Sequence, residues 1–257
     1  MKKIRLTEKT ISNSQIDSLI DWLSTYPHLT KGPVTEKLEK KFASWIGTKY
    51  SIFCNSGSSA NLLMLSSLIE SGDIKKNSKV IIPSICWSTD LAPLIQLSLI
   101  PIICDCNLKN LSFDLNKLED QLKKESPSTM ILVSVLGFCP DMDQIMKLCK
   151  KYNVILLEDN CESLGSEYKG KKLGNFGLMS SFSTFYGHHI STIEGGFITT
   201  NNEKLYWILK SIRSHGWGRE FPKDMRQQYK KKWKITDFNE LYTFYYAGYN
   251  FRSTDLQ

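Results

Sequence analysis

The 257-residue sequence predicts an α/β fold, with a mostly parallel sheet and helices on both of its faces. Two observations predict it. Strand-sized apolar runs such as Val80-Ile81-Ile82 and Val154-Ile155-Leu156-Leu157 carry little polar alternation, as strands covered on both faces do. Between such runs lie amphipathic stretches of helical period at a regular spacing. A chain of this length buries a substantial core, and 41% hydrophobic with 23% charged residues is a globular composition.

Residues 15–23 place Ile16, Leu19, Ile20 and Leu23 on one helical face. Thr30-Lys31-Gly32-Pro33 is a turn whose proline opens the next helix at its first position. That helix carries Val34, Leu38, Phe42, Trp45 and Ile46 on one stripe, with Glu36 and Lys40 paired outside, and Gly47 stops it. Strands over 50–54, 80–82, 101–104, 130–135 and 154–157 then alternate with helices over 58–68, 88–97, 115–122 and 142–149. After Leu157 the rhythm changes. Residues 167–174 read as a hairpin insert, 179–183 and 197–200 as strands, 203–213 as a helix, and 242–246 as an aromatic stretch. The last residues, Thr254-Asp255-Leu256-Gln257, read as the first turn of a helix. No repeat or flexible linker divides the chain, so 1–257 reads as one large domain with a helical N-terminal segment.

No apolar stretch approaches a membrane span, and Met1-Lys2-Lys3-Ile4-Arg5 lacks the core of a signal peptide, so a cytoplasmic protein is expected. The seven cysteines are odd in number and form no Cys-x-x-Cys, which favours reduced thiols. The net charge of +7 comes from scattered residues, and Lys230-Lys231-Lys232-Trp233-Lys234 is the densest cluster. One short cluster suits a solvated face better than a nucleic-acid site, so neither nucleic acid nor membrane is expected as a partner. An anionic small substrate such as a sugar nucleotide suits a basic surface.

Three strand ends carry chemistry. Cys54-Asn55-Ser56-Gly57-Ser58-Ser59-Ala60 runs from strand to helix with small residues that expose N-terminal amides to a phosphate, although any capped helix shares the pattern. Glu158-Asp159 closes a buried strand at the edge where open α/β sheets bind ligands. A carboxylate there can hold a pyridinium proton, or serve only as a cap. Trp87, after Pro83-Ser84-Ile85-Cys86, can stack on an aromatic ring or belong to the core. A fourth stretch, Ser181 to Gly196, holds His188 and His189 between hydroxyls, aromatics and a Glu-Gly-Gly turn, which suits a ligand loop or a plain hairpin.

Taken in order, these and further motifs resemble the DegT/DnrJ-type sugar-nucleotide aminotransferase family. The matches are Gly32-Pro33, Asn55-Ser56-Gly57-Ser58, Val80-Ile81-Ile82-Pro83, Pro101 to Asp105, Leu157-Glu158-Asp159, Tyr168-Lys169-Gly170-Lys171-Lys172-Leu173-Gly174, Phe182-Ser183 and Glu194-Gly195-Gly196. Arg213-Ser214-His215-Gly216 and 248–257 complete the series. The resemblance implies the aspartate aminotransferase-like (type I) large domain and a pyridoxal or pyridoxamine 5'-phosphate cofactor. It implies that Gly57, Ser58 and Ser183 bind the phosphate, with Asn250 reaching across from a second subunit of a homodimer. Trp87 would stack on the ring, Asp159 would pair with its nitrogen and Glu162 would lie near its hydroxyl. His215 and Arg219 would contact the sugar nucleotide.

One position departs from the family pattern. The lysine that links covalently to the cofactor lies six residues after the Phe of Phe-Ser and six before Glu-Gly-Gly, which here is His188. No lysine lies between Lys172 and Lys204. An imidazole cannot make that link, so the cofactor would be held non-covalently, while histidine remains a good acid or base near neutral pH. The exchange resembles the dehydratase branch, which uses L-glutamate as amine donor and removes the 3-hydroxyl of a nucleotide-linked 4-keto-6-deoxy sugar. One type there needs an iron–sulfur cluster held by cysteines after Glu-Gly-Gly. Cys161 is the last cysteine here, so no cluster is expected. The other type is cluster-free, acts on a GDP-linked 4-keto-6-deoxy-mannose, and serves colitose and lipopolysaccharide O-antigen synthesis. The sequence around 186–192, 214–219 and 238–245 looks like that type. The family also carries a small carboxy-terminal domain for which this chain has no residues, so an aminotransferase-like protein or a truncated, non-catalytic remnant stays open.

Overall fold

The computed structural model describes residues 7, 8 and 10–257. Two helices come first, α1 (Asn13–Leu23) and α2 (Pro33–Ile46). The alternating part follows as β1 (Tyr50–Cys54), α3 (Gly57–Ser71), β2 (Lys79–Pro83), α4 (Ser88–Gln96), β3 (Ile100–Cys104), α5 (Leu115–Glu125), β4 (Thr129–Val133), α6 (Met142–Tyr152) and β5 (Ile155–Asp159). The short pair β6 (Glu167–Tyr168) and β7 (Lys171–Lys172) is the expected hairpin insert. The chain continues through β8 (Met179–Ser183), β9 (Gly196–Thr200), α7 (Glu203–Ile212), α8 (Lys223–Trp233) and α9 (Asp237–Glu240).

One seven-stranded sheet runs in the order β1-β9-β8-β5-β4-β2-β3. From β3 to β8 neighbouring strands are parallel, while β9 lies antiparallel to both β8 and β1. The side-chain period of two divides each buried strand between two cores. Val80, Ile82, Ile131 and Leu157 pack with α3 and α7 residues such as Leu63, Met64, Leu205 and Leu209. Ile81, Met130, Leu132 and Leu156 pack on the other face with Leu118, Leu122, Ile145 and Leu148 of α5 and α6. Parallel connections bring the carboxyl ends of β2, β4, β5 and β8 to one edge, where the loops that follow them meet. Among the described residues no helix is long and apolar enough to cross a membrane.

Helix α2 corrects the sequence reading. Its buried residues are Thr35, Glu39, Phe42, Ala43 and Ile46, whereas Val34 and Trp45 are exposed. The stripe is rotated because Glu39 turns inward to meet the guanidinium of Arg213 at 2.5 Å. Glu36 faces Lys31 at 3.6 Å rather than the expected Lys40. Residues 130–135 are also not one strand: β4 stops at Val133, and Val135–Gly137 forms a 3-10 turn with Leu136 at φ 53°. At the other end, Thr254 and Gln257 exchange backbone-to-side-chain hydrogen bonds at 2.8 and 3.2 Å, the reciprocal pattern of a helix start.

Candidate active site

A cavity of about 920 Å³ opens at the carboxyl edge of the sheet. Gly57, Ser58, Trp87, Asp159, Glu162, Ser183 and His188 all line it, so seven of the predicted residues are brought together.

Helix α3 supplies the first wall. Ser56 caps it by accepting the Ser59 amide at 3.0 Å, and the amides of Gly57 and Ser58, in the first turn, have no intrahelical acceptor. The 15-residue helix points its positive end at the cavity. The packing beneath is close: a Cβ on Gly57 would lie 2.7 Å from the Cβ of Ser183, and one on Gly196 would lie 2.4 Å from the Ser56 carbonyl oxygen. Only glycine lets the ends of β8 and β9 approach the α3 turn this far.

Strand β5 sends its last two carboxylates to opposite faces. Glu158 is structural: it accepts from the amides of Gly174, Phe176 and Gly177 at 2.8, 2.8 and 2.6 Å. Asp159, 4% exposed, faces the cavity. Its Oδ1 accepts from the Cys161 amide at 2.9 Å and its Oδ2 from Nδ2 of Asn61 at 2.6 Å. The Asn61 amide is oriented by the Ser181 hydroxyl, which donates to its Oδ1 at 2.5 Å. The same Nδ2 reaches Oδ1 of Asp90 at 3.2 Å. Burial, then the negative charge of Asp159, pushes Asp90 up to about 10.

Trp87 corrects its core reading. It stands at the N-terminus of α4, 69% exposed, as a free aromatic face at the cavity. Glu162 accepts from the Leu136 amide at 2.8 Å, so the left-handed turn after β4 forms part of the same rim.

His188 lies in the connection between β8 and β9, which pair antiparallel, so the stretch is both hairpin and ligand loop. Its amide donates to Phe185 at 2.9 Å, and its ring stands edge-on to the Phe185 ring at 6.0 Å. Partial burial lowers its pKa, with Glu162 pulling the other way. The imidazole is therefore biased toward the neutral, proton-accepting form.

Asn250, His215 and Arg219 lie elsewhere. Asn250 pairs with Ser214 in an isolated bridge, and His215 packs edge-on against Trp217 at 5.3 Å. The Arg219 guanidinium stacks on Trp217 at 3.8 Å and lines a smaller cleft of about 300 Å³ with Lys31, Ser214 and Arg252. Sequence reasoning missed Asp90 and Asn61 and gave His189 no role, although His189 and Glu194 both line the cavity. Asp90 sits three residues into a helix start, where an acid reads as an ordinary cap. Among the described residues the lining contains Asp90, Asp159, Glu162 and Glu194 but no lysine or arginine.

Fold and site together define a class. Residues 10–257 match the model of the DegT/DnrJ/EryC1/StrS aminotransferase family, and the chain belongs to that family. It is 40% identical over 229 residues to the GDP-4-keto-6-deoxy-D-mannose 3-dehydratase of Yersinia pseudotuberculosis, and 38% over 235 residues to that of Escherichia coli O55:H7. Each match covers 88% of this chain and 58% of the relative, so the chain spans less than two thirds of the length of either. The E. coli dehydratase solved with bound hydrated PLP superposes with a TM-score of 0.89 at 36% identity, over 99% of this chain and 65% of that one. The fold is accordingly that of the aspartate aminotransferase-like enzymes.

Proposed function

We propose that this chain carries the cofactor site of a pyridoxal phosphate-dependent sugar 3-dehydratase acting on GDP-4-keto-6-deoxy-mannose. The observation that carries the reading is the acid-lined cavity with His188, and no amine side chain, at the position where the family pattern has lysine. Its residues fit the cofactor. The free amides of Gly57 and Ser58 and the Ser183 hydroxyl suit a phosphate. Asp159, buried beside another acid with no cation among the described lining residues, suits a protonated ring nitrogen. Glu162, on the cavity rim, suits the ring hydroxyl, and the exposed Trp87 suits one ring face.

When bound, the cofactor supplies an electron sink that makes the 3-hydroxyl of a 4-keto sugar a leaving group. Asp159 holds the ring-nitrogen proton. His188, neutral through burial, accepts a proton at a ring nitrogen and returns it, as the lysine amine would. Having no amine, it leaves the cofactor free to exchange. L-glutamate is the proposed amine donor. The reading extends to a cytoplasmic homodimer in which Asn250 serves the partner's site, to contacts of His215 and Arg219 with the sugar nucleotide, and to colitose-type O-antigen synthesis without an iron–sulfur cluster. Incubation with pyridoxal phosphate, glutamate and the GDP-keto sugar tests it: a 3-deoxy keto sugar and ammonia are expected, and a 4-amino sugar would overturn the dehydratase in favour of an aminotransferase.

A further inference from the structure

Of the four acids lining the cavity, Asp90 entered the proposed function only as a neighbour of Asp159, with no task of its own. It is fully buried, at 0% exposure. Its Oδ2 accepts from the Trp87 amide at 3.1 Å and its Oδ1 from Asn61 at 3.2 Å. Nδ2 of Asn61 is shared between Oδ1 of Asp90 and Oδ2 of Asp159, which brings the two buried carboxylates side by side. Two buried anions so close repel each other and both only accept, so a proton on one of them, donated to the other, relieves the pair. The donors decide which. Asp159 receives two short N–H bonds, at 2.6 and 2.9 Å, which favour its anion. The bonds to Asp90 are longer, and among the described residues the groups facing it supply no positive charge. Asp159 and Glu162 are acidic, and burial raises Cys86, to about 11, and Cys161, so both thiols stay neutral. His188, across the cavity, is biased neutral.

We propose that Asp90 is a positioning residue that stands as the neutral acid and donates to Asp159, fixing Asp159 as an anion aimed into the cavity and tying it to the turn that carries Trp87. The carboxylate for the ring nitrogen and the aromatic covering the ring are then held as one unit. The role toward the ring rests on the function proposed above; the proton on Asp90 does not.

Two variants test it. Asp90→Asn keeps the size and a donor toward Asp159, and Asp90→Leu keeps the bulk and removes the donor. Infrared difference spectra of the cofactor-free chain near neutral pH read the proton directly. A carboxylic-acid carbonyl band present in the wild type and lost in Asp90→Asn is expected, and its absence from the wild type overturns the proposal. Titration with pyridoxal 5'-phosphate, followed by absorbance, reads the positioning. Asp90→Asn should bind within about threefold of wild type, and Asp90→Leu roughly tenfold weaker or more, the effect of one hydrogen bond to a charged group. The pH at which the bound absorbance changes should move in Asp90→Leu and hold in Asp90→Asn. Equal binding with an unmoved titration in Asp90→Leu overturns the positioning role, and a tenfold loss in Asp90→Asn does so even if Asp90→Leu fails to fold. If the wild type takes up no cofactor, the proposed function fails, and the infrared band alone still decides the proton.

Discussion

Glu39 and Asp159 are carboxylates buried to within a few per cent, 5% and 4% exposed, yet their surroundings have opposite character. Glu39 sits among cations of its own chain: Arg213 at 2.5 Å and Lys210 at 3.5 Å. Glu220 closes the cluster against Lys210, Arg213 and Lys31 at 2.6, 3.6 and 3.3 Å. Asp159 is met by amide dipoles and by a second acid, on a cavity whose described lining has no lysine or arginine. A charge that holds the fold together is neutralised from within. A charge proposed for a ligand is left short of a partner, and on our proposal the fold tolerates it with a proton and hydrogen bonds nearby.

The contrast can be broken most forcefully at Arg213. Arg213→Leu removes the fully buried one of the two cations that Glu39 and Glu220 share and should lower unfolding stability by about 3–5 kcal/mol, read from denaturant midpoints. Asp159→Asn should stay within ~1 kcal/mol of wild type while weakening cofactor binding roughly tenfold or more. Comparable stability losses in the two variants would erase the distinction. His188→Lys comes next. Turnover should fall by roughly 100-fold or more as the proposed proton carrier is lost, with the cofactor becoming covalently held and resisting dialysis.

Stability against pH sharpens the comparison from both sides. Glu220 is held down from its ordinary 4.5 to about 2, an outcome of its cations overcoming burial. Its contribution is present above 4.5 and fades as pH falls toward 2. Asp90 runs the other way, lifted from 3.8 to about 10 by burial and Asp159. Its folded form holds the proton more tightly, so its contribution is full below 3.8 and is lost as pH rises toward 10. Urea midpoints across pH should show Asp90→Asn flattening the alkaline decline and leaving the acid limb alone. The smallest effect belongs to Trp87→Ala: stability within about 0.5 kcal/mol because the ring is exposed, with a few-fold loss of cofactor affinity.

Much of this was legible in the sequence, for a physical reason. Strands covered on both faces need unbroken apolar runs, so β2, β4 and β5 announce themselves. The strand-end motifs of the site were equally plain, because close packing leaves little choice of residue at Gly57. What escaped depends on partners distant in the chain. Glu39 reads as a surface residue until Arg213, 174 residues on, is seen beside it. Asp90 and Asn61 are joined only by the topology that lays α4 against α3. Helix α8 buries no residue, so it shows no apolar stripe to find.

The His188 loop is tied at its base by Thr184 and Thr192, whose backbones bond at 2.9 Å, and by Tyr186 bonding to Ile193 at 3.0 Å. Beneath it Gly57, Ser183 and Gly196 interlock without slack. The frame and the side chain proposed to react are therefore separable parts: the one is rigid and intolerant of change, the other is a single cavity-facing position with few obligations to the fold. Such a division lets one scaffold be converted from one reaction to another by a change at one residue, and it makes position 188 the place to look first when relatives with different chemistries are sorted.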